Sequence, residues 1–315
     1  MKTSTVTTPD LARSVIAVPP LARNADLTLN QSANLALIRH LEDGGVRTLM
    51  YGGNANFYHV GVSEYAGIVD FLAEAAGDDT WVLPSVGPDY GKAIDQAAIL
   101  RTRAFPTAMM LPMTFPFTDG GLATGIRRFT DALGKAAVIY IKSDNYIAPQ
   151  TLAALVEEGR VVSVKYAVVR KDWSNDTYLR SLTAAIGTDI MVSGIGERPA
   201  IAHMRDYGLT SFTSGSVCIG PRGSMQLLRL LQQKRYDDAE KIRAAYMPLE
   251  DCRDEVNPIR VLHDAVTVSG VADMGPMLPM LEGVDESVRA RLLPVTRALL
   301  AHDVALERAG ELAQG

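Results

Sequence analysis

From about residue 13 to residue 215, short apolar or β-branched runs alternate with longer stretches whose apolar positions recur every three or four residues. The first pattern suits strands buried on both faces, and the second suits amphipathic helices laid over them. Eight strands are expected, at Ser14–Val18, Arg47–Tyr51, Thr80–Val86, Thr107–Leu111, Ala137–Ile141, Val161–Tyr166, Asp189–Val192 and Leu209–Thr213. Helical spacing fills the intervals at Leu29–Leu41, Ser63–Ala76, Tyr90–Arg103, Gly121–Leu133, Thr151–Glu158, Tyr178–Ile186 and Pro199–Tyr207. Eight β/α pairs point to an α/β chain closed as a (β/α)8 TIM barrel. After residue 220 only helical patterns remain, at Ser224–Gln233, Tyr236–Leu249, Pro258–Ser269 and Asp285–His302, which predicts a C-terminal helical extension. The expected organisation is a flexible N-terminus over 1–12, the barrel over 13–222, the helical domain over 223–305 and a flexible tail over 306–315. An open doubly wound sheet would need a Gly-rich phosphate turn after its first strand, where this chain has Ala17-Val18-Pro19-Pro20.

Charge narrows the partners. The 31 Lys and Arg against 36 Asp and Glu give a net charge of −5. No basic run stands ready to neutralise phosphates, which argues against nucleic acid and anionic membranes and leaves small molecules. The two cysteines, Cys218 and Cys252, are far apart and suggest neither a disulfide framework nor a thiolate zinc site, so a cytoplasmic location is expected. The first residues lack the apolar core of a signal peptide, and no apolar run approaches the roughly 18 residues of a membrane span.

Reactive groups in such a barrel sit at the C-terminal ends of the strands. Lys165 ends the sixth strand inside the apolar run Val161–Val169. An ammonium there is costly to bury, and the neutral amine that results is a nucleophile toward a carbonyl carbon, forming a Schiff base. The alternative is a lysine that reaches water from the strand end or answers a carboxylate. The second strand ends in Gly52-Gly53-Asn54-Ala55-Asn56-Phe57, which reads either as a plain glycine turn or as backbone N–H groups and carboxamides for a carboxylate. The fifth ends with Tyr140, Lys142, Ser143, Asp144 and Asn145, either a packed tyrosine with a solvated loop or a set of substrate-facing groups. His59 and Glu64 suggest an acid–base pair less than they suggest a surface histidine and a first-turn helix carboxylate. Asp189, His203 and His263 lack metal-ligand spacing, so neither metal nor cofactor is expected.

Together these segments resemble the family of dihydrodipicolinate synthase and N-acetylneuraminate lyase, barrel enzymes that form a Schiff base with pyruvate or another 2-oxo acid. The likeness runs from about Ser14 to Ala301. Val161–Lys165 is similar to the strand bearing the family's Schiff-base lysine, and Tyr140 falls where the family keeps its catalytic tyrosine. Leu111-Pro112, Ser193-Gly194 and Asn257-Pro258-Ile259-Arg260-Val261 add to the match. The resemblance implies catalysis by Lys165 and Tyr140, carboxylate binding by Gly53 and Asn54, and further substrate contacts from Lys142, Ser143, Asn145 and Gly194. It also implies a homo-oligomer, dimer or tetramer, with Met113, Phe115 and Phe117 at the dimer contact.

The departures bear on the reaction. Gly53-Asn54 replaces the family's threonine pair, which removes a hydroxyl relay. Met113-Thr114-Phe115-Pro116-Phe117 lacks the synthases' tyrosines. Ile141-Lys142-Ser143-Asp144-Asn145 lacks their proline and arginine and is closer to the sugar-acid dehydratases. The expected function is thus a Schiff-base lyase acting on a 2-oxo acid, as a pyruvate-type aldolase or a 2-oxo-3-deoxy sugar acid dehydratase. The alternatives are dihydrodipicolinate synthase and a catalytically silent 2-oxo acid binding protein.

Overall fold

The computed structural model describes the backbone of residues 1–312 and side chains through residue 308. Eight strands, β1 (Ile16–Ala17), β2 (Thr48–Tyr51), β3 (Trp81–Val86), β4 (Met109–Met110), β5 (Ala137–Ile141), β6 (Val161–Tyr166), β7 (Met191–Ser193) and β8 (Ser211–Ser214), pair in parallel and in chain order. Pairing of Ile16 with Thr213 joins β8 to β1 and closes the barrel. A short helix α1 (Thr8–Ala12) precedes β1. The connecting helices are α2 (Gln31–Asp43), α3 (Val62–Ala75), α4 (Tyr90–Arg101), α5 (Asp119–Leu133), α6 (Pro149–Glu157), α7 (Thr177–Ile186) and α8 (Ala200–Asp206). There follow α9 (Pro221–Gln232), α10 (Tyr236–Ala244), α11 (Met247–Glu255), α12 (Pro258–Ser269) and α13 (Glu286–Leu312). Among the described residues no helix is long and apolar enough to cross a membrane.

Local chemistry accounts for the elements. Val161, Val162 and Val164 favour extended backbone in β6, and all of β6 but the half-buried Val162 is buried. Helix starts carry side-chain acceptors for otherwise unpaired N–H groups: Asn30 accepts from Ala33 (3.1 Å) before α2, and Asp89 from Lys92 (2.8 Å) before α4. Asn257 accepts from Ile259 and Arg260 (3.0 and 3.1 Å) before α12, with Pro258 in the first turn, where a missing N–H costs nothing.

β5 and β6 coincide with the residues expected from the sequence, whereas β1 and β4 shrink to two residues each. The largest difference lies in the extension. A single helix over Tyr236–Leu249 is not formed, because the chain turns at Ala245-Tyr246 and restarts as α11 with Pro248 in its first turn. Helix α9 follows β8 as the eighth barrel helix, packing against α8 and against the end of α2, where Gly44 admits Pro221. The first twelve residues, expected to lie free, are tied down. The Met1 amino group donates to the Ala73 carbonyl (2.9 Å), the Trp81 indole donates to the Ser4 carbonyl (3.2 Å), and Leu11 is buried. Of the expected tail, 306–312 continue α13 and 313–315 lie outside the described residues.

Candidate active site

A cavity of about 150 Å³ opens at the C-terminal rim of the barrel, walled by the ends of β1, β2 and β5 to β8 and capped by α11 and the start of α12. Lys165, Tyr140, Gly53, Asn54, Lys142 and Gly194 all reach this one wall, from strands more than a hundred residues apart in the chain. Closure of the sheet brings them together.

Lys165 is 4% exposed. Alternation along β6 turns it into the barrel, while the next residue, Tyr166, points outward and donates its hydroxyl to Asp176 (2.6 Å) at the start of α7. Tyr140 is its direct partner on β5, and the amine nitrogen stands 4.6 Å from the centre of the Tyr140 ring. Among the described residues no carboxylate pairs with this amine. Burial, followed by the positive charges of Lys142 and Arg253, pulls its pKa down to about 7. The ring face favours a cation slightly, and desolvation outweighs it. Near neutrality a large share of Lys165 is therefore free amine.

Burial raises the Tyr140 phenol above its ordinary range, with neighbouring Tyr58 adding and Arg253 opposing. The group stays protonated, as a donor beside the amine. Tyr58, on the β2 turn, was not foreseen as part of this site. Its ring packs beside Gly53, 3.5 Å from the point a β-carbon there would occupy. Burial, with Tyr146 adding, pushes its phenol up to about 12.

At the turn itself, the N–H groups of Ala55 and Phe57 return to the Gly52 carbonyl and that of Asn56 to Gly53 (2.9 to 3.2 Å). The N–H groups of Gly53 and Asn54 find no acceptor among the described residues, and the Asn54 amide is spent on the Val18 carbonyl (2.8 Å). Any anion at this turn would meet backbone donors rather than the carboxamide. Gly194 is demanded by close approach, since a β-carbon there would lie 2.7 Å from both the Tyr166 carbonyl and the Ala167 side chain.

Ser143 and Asn145 are not brought to the cavity. They lie exposed on a loop that Asp144 anchors to Arg170 (2.6 Å). His59 is exposed, and Glu64 accepts from the Gly61 N–H (3.1 Å) at the start of α3. His203 and His263 bind Ser193 and the Gly275 carbonyl (2.8 Å each), and no cluster of three or more His, Cys, Asp or Glu side chains able to hold a metal occurs among the described residues.

Sequence reasoning missed the contribution of α11. Glu250, Arg253 and Asp254 line the cavity from above, and the buried Glu250 accepts from Arg253 Nη1 (2.7 Å) and from the Ser216 hydroxyl. Behind them Glu197 accepts from Ser214 (2.7 Å) and Ser224 (2.5 Å), and burial together with the Glu250 charge raises its pKa to about 7. The Pro248 break and the Glu250/Arg253 spacing were visible signals, but nothing local said that this helix faces the barrel mouth. A second, wider depression of about 900 Å³ lies outside the barrel along the β4–α5 connection, with Met113, Phe115 and Phe117 on an apolar wall; Phe115 is 83% exposed.

The sequence profile of the dihydrodipicolinate synthetase family matches residues 12–294. No curated protein sequence matches the chain. Among solved structures the fold is similar to dihydrodipicolinate synthase from Bacillus clausii, with 20% identity, a TM-score of 0.81 and coverage of 91% of this chain and 99% of that one. N-acetylneuraminate lyase from Fusobacterium nucleatum aligns with 15% identity, TM-score 0.78 and coverage of 92% and 99%. A prophage protein of the dihydrodipicolinic acid synthase family from E. coli K12, solved in complex with pyruvate, aligns with 16% identity, TM-score 0.77 and coverage of 91% and 98%. With the profile spanning nearly the whole barrel and its extension, this chain is a member of the dihydrodipicolinate synthetase family.

Proposed function

We propose that the protein is a lyase of the class I aldolase type that binds a 2-oxo acid covalently on Lys165. The observation that carries this is the amine itself, buried without a carboxylate partner against a phenol in a cavity that opens at the barrel mouth. The neutral amine attacks the ketone carbon, and the carbinolamine loses water to give an iminium. That cation accepts the electron pair released when a C3 proton or the C3–C4 bond is lost, and the enamine then either takes up a proton or expels a C4 hydroxyl. Tyr140 hands a proton to the departing carbinolamine oxygen and recovers it from the substrate. The free N–H groups of Gly53 and Asn54 hold the substrate carboxylate, and Lys142 supplies positive charge at the rim.

Borohydride reduction in the presence of pyruvate or a 2-oxo-3-deoxy sugar acid, followed by peptide mapping, tests the reading. A reduced adduct on Lys165 is expected. Absence of an adduct with every 2-oxo acid, or an adduct on another lysine, would leave the protein a non-covalent binder. Product analysis separates aldol cleavage, which yields pyruvate and an aldehyde, from dehydration. Tyr140→Phe is expected to lower turnover about 100- to 1,000-fold while the adduct still forms, more slowly. An unchanged rate would remove Tyr140 from proton transfer.

The exposed apolar wall around Phe115 suits burial against a second copy of the chain, which supports a homodimer or a higher assembly built from it. Light scattering of Phe115→Asp should report half the wild-type mass. An unchanged mass would assign the contact to another face.

A further inference from the structure

We propose that Arg253 is a specificity-determining residue that binds a second carboxylate, making the acid carried on Lys165 a small dicarboxylic 2-oxo acid. This deepens the Lys165 reading and takes its chemistry from there, but binding by Arg253 does not itself require the covalent step.

Arg253 is 8% exposed and belongs to the cavity wall. Two of its three nitrogens are committed: Nε donates to the Pro258 carbonyl (3.2 Å) and Nη1 to Glu250 (2.7 Å). These contacts fix the plane of the guanidinium. Nη2 finds no acceptor among the described residues. It lies beside Gly215 at the end of β8, where a β-carbon would lie 2.8 Å from Leu262 Cδ2, 3.0 Å from Nη2 and 3.2 Å from the central guanidinium carbon. A side chain at position 215 would push against this edge of the fork, and glycine leaves it open to the cavity. A donor without a protein acceptor that opens on the cavity, on a planar guanidinium held in place by its other contacts, is suited to a carboxylate oxygen.

The charge around it agrees. Glu250 and Asp254 also line the cavity, but Glu250 is occupied by Arg253 and Ser216, and Asp254 is paired with Arg198 (2.9 Å). Lys142 lines the wall from the β5 side without a carboxylate partner among the described residues, so the wall has positive charge in surplus. Strands β8, β1 and β2 are consecutive around the barrel, so Arg253 stands to one side of the Gly53-Asn54 turn and Lys142 to the other. A cavity of about 150 Å³ is well below the ~300–1,000 Å³ of sites for larger ligands and suits a short acid held at both ends.

The test compares 2-oxoglutarate with 2-oxopentanoate, which differ only in a terminal carboxylate or methyl group, by calorimetric titration at pH 7 and by borohydride trapping. Wild-type protein should bind the diacid about 10- to 100-fold more tightly, the worth of one charged hydrogen bond. Arg253→Gln should erase that preference by weakening the diacid about 10- to 100-fold more than the monoacid, any effect through Lys165 being common to both acids. Because this variant strands Glu250, the double variant Arg253→Gln/Glu250→Gln is measured as well, with a melting curve for each. Absence of a diacid preference in the wild type, including no binding of either acid, overturns the proposal, as does an equal loss of both acids in the folded variants. A diacid preference without an adduct on Lys165 would refute the covalent reading alone. An adduct formed equally well from both acids would refute the role of Arg253 alone.

Discussion

Lys165→Met is expected to abolish covalent capture of 2-oxo acids, to lower turnover by on the order of 10,000-fold or more, and at the same time to stabilise the fold. The two effects share one cause. The amine proposed to react is held where water cannot solvate its cation, so its pKa falls from 10.5 to about 7 on folding. Above pH 10.5 the amine is neutral both folded and unfolded, and no charge is desolvated. Between 10.5 and 7 the unfolded chain binds a proton that the folded chain does not, so stability declines as the pH falls through this window, and below 7 the loss is complete. Methionine, of similar length and without charge, removes that loss. The gain in unfolding free energy should be on the order of 2–4 kcal/mol at pH 6 and shrink steadily toward pH 10. Urea titrations across the pH range measure it. A gain that does not vary with pH would mean that Lys165 is not titrating within the fold. In the wild type, the initial rate of adduct formation should rise with pH and level off above about 7, as the free amine becomes the majority form. A rate still climbing steeply toward pH 10 would place the reactive amine in water. The titratable groups sharing the cavity wall with it are Tyr140, Tyr58, Lys142, Arg253, Glu250 and Asp254, and of these Lys142 and Arg253 push its pKa down.

Glu250→Ala should cost about 3–5 kcal/mol, because it leaves the buried Arg253 guanidinium without its counter-charge. The double variant Glu250→Gln/Arg253→Gln should cost less than Glu250→Ala alone, since both charges leave together and the pair is tightly coupled. Differential scanning calorimetry of the three proteins decides this. A double variant at least as unstable as the single one would show that packing at α11, rather than charge balance, holds the lid of the cavity. Without Glu250 to offset it, the Arg253 charge should also press harder on Lys165, so the adduct-formation profile of Glu250→Gln should move to lower pH. A profile that stays in place would separate Arg253 electrostatically from the amine.

The fold was legible in the chain for a local reason. A strand covered on both sides must be apolar throughout, and a helix covered on one side must repeat its apolar residues every three or four positions, so eight alternations could be read without knowing what packs on what. The reading was sharpest at β5 and β6, where Ala137–Ile141 and Val161–Tyr166 form continuous apolar runs, and weakest at β1 and β4, where two-residue strands are defined by their neighbours' hydrogen bonds. Lys165 stood out because a charge inside an apolar strand conflicts with its surroundings, and such conflicts are visible in one dimension.

What the sequence by itself determined is thus the barrel, a lysine buried in its sixth strand and a tyrosine on the neighbouring fifth strand, which the structure shows to be direct partners in register. Tertiary structure alone decided which of the loop residues line the cavity. Ser143 and Asn145 sit beside Lys142 in sequence yet point away, because Asp144 anchors their loop to Arg170. Glu250 and Arg253, about 85 residues downstream of Lys165, reach the cavity only because the chain turns at Tyr246 and lays α11 across the mouth. Periodicity records which face of an element is buried. It carries no record of which distant element does the burying, and Arg253, one of the two cations that tune Lys165, comes from such an element.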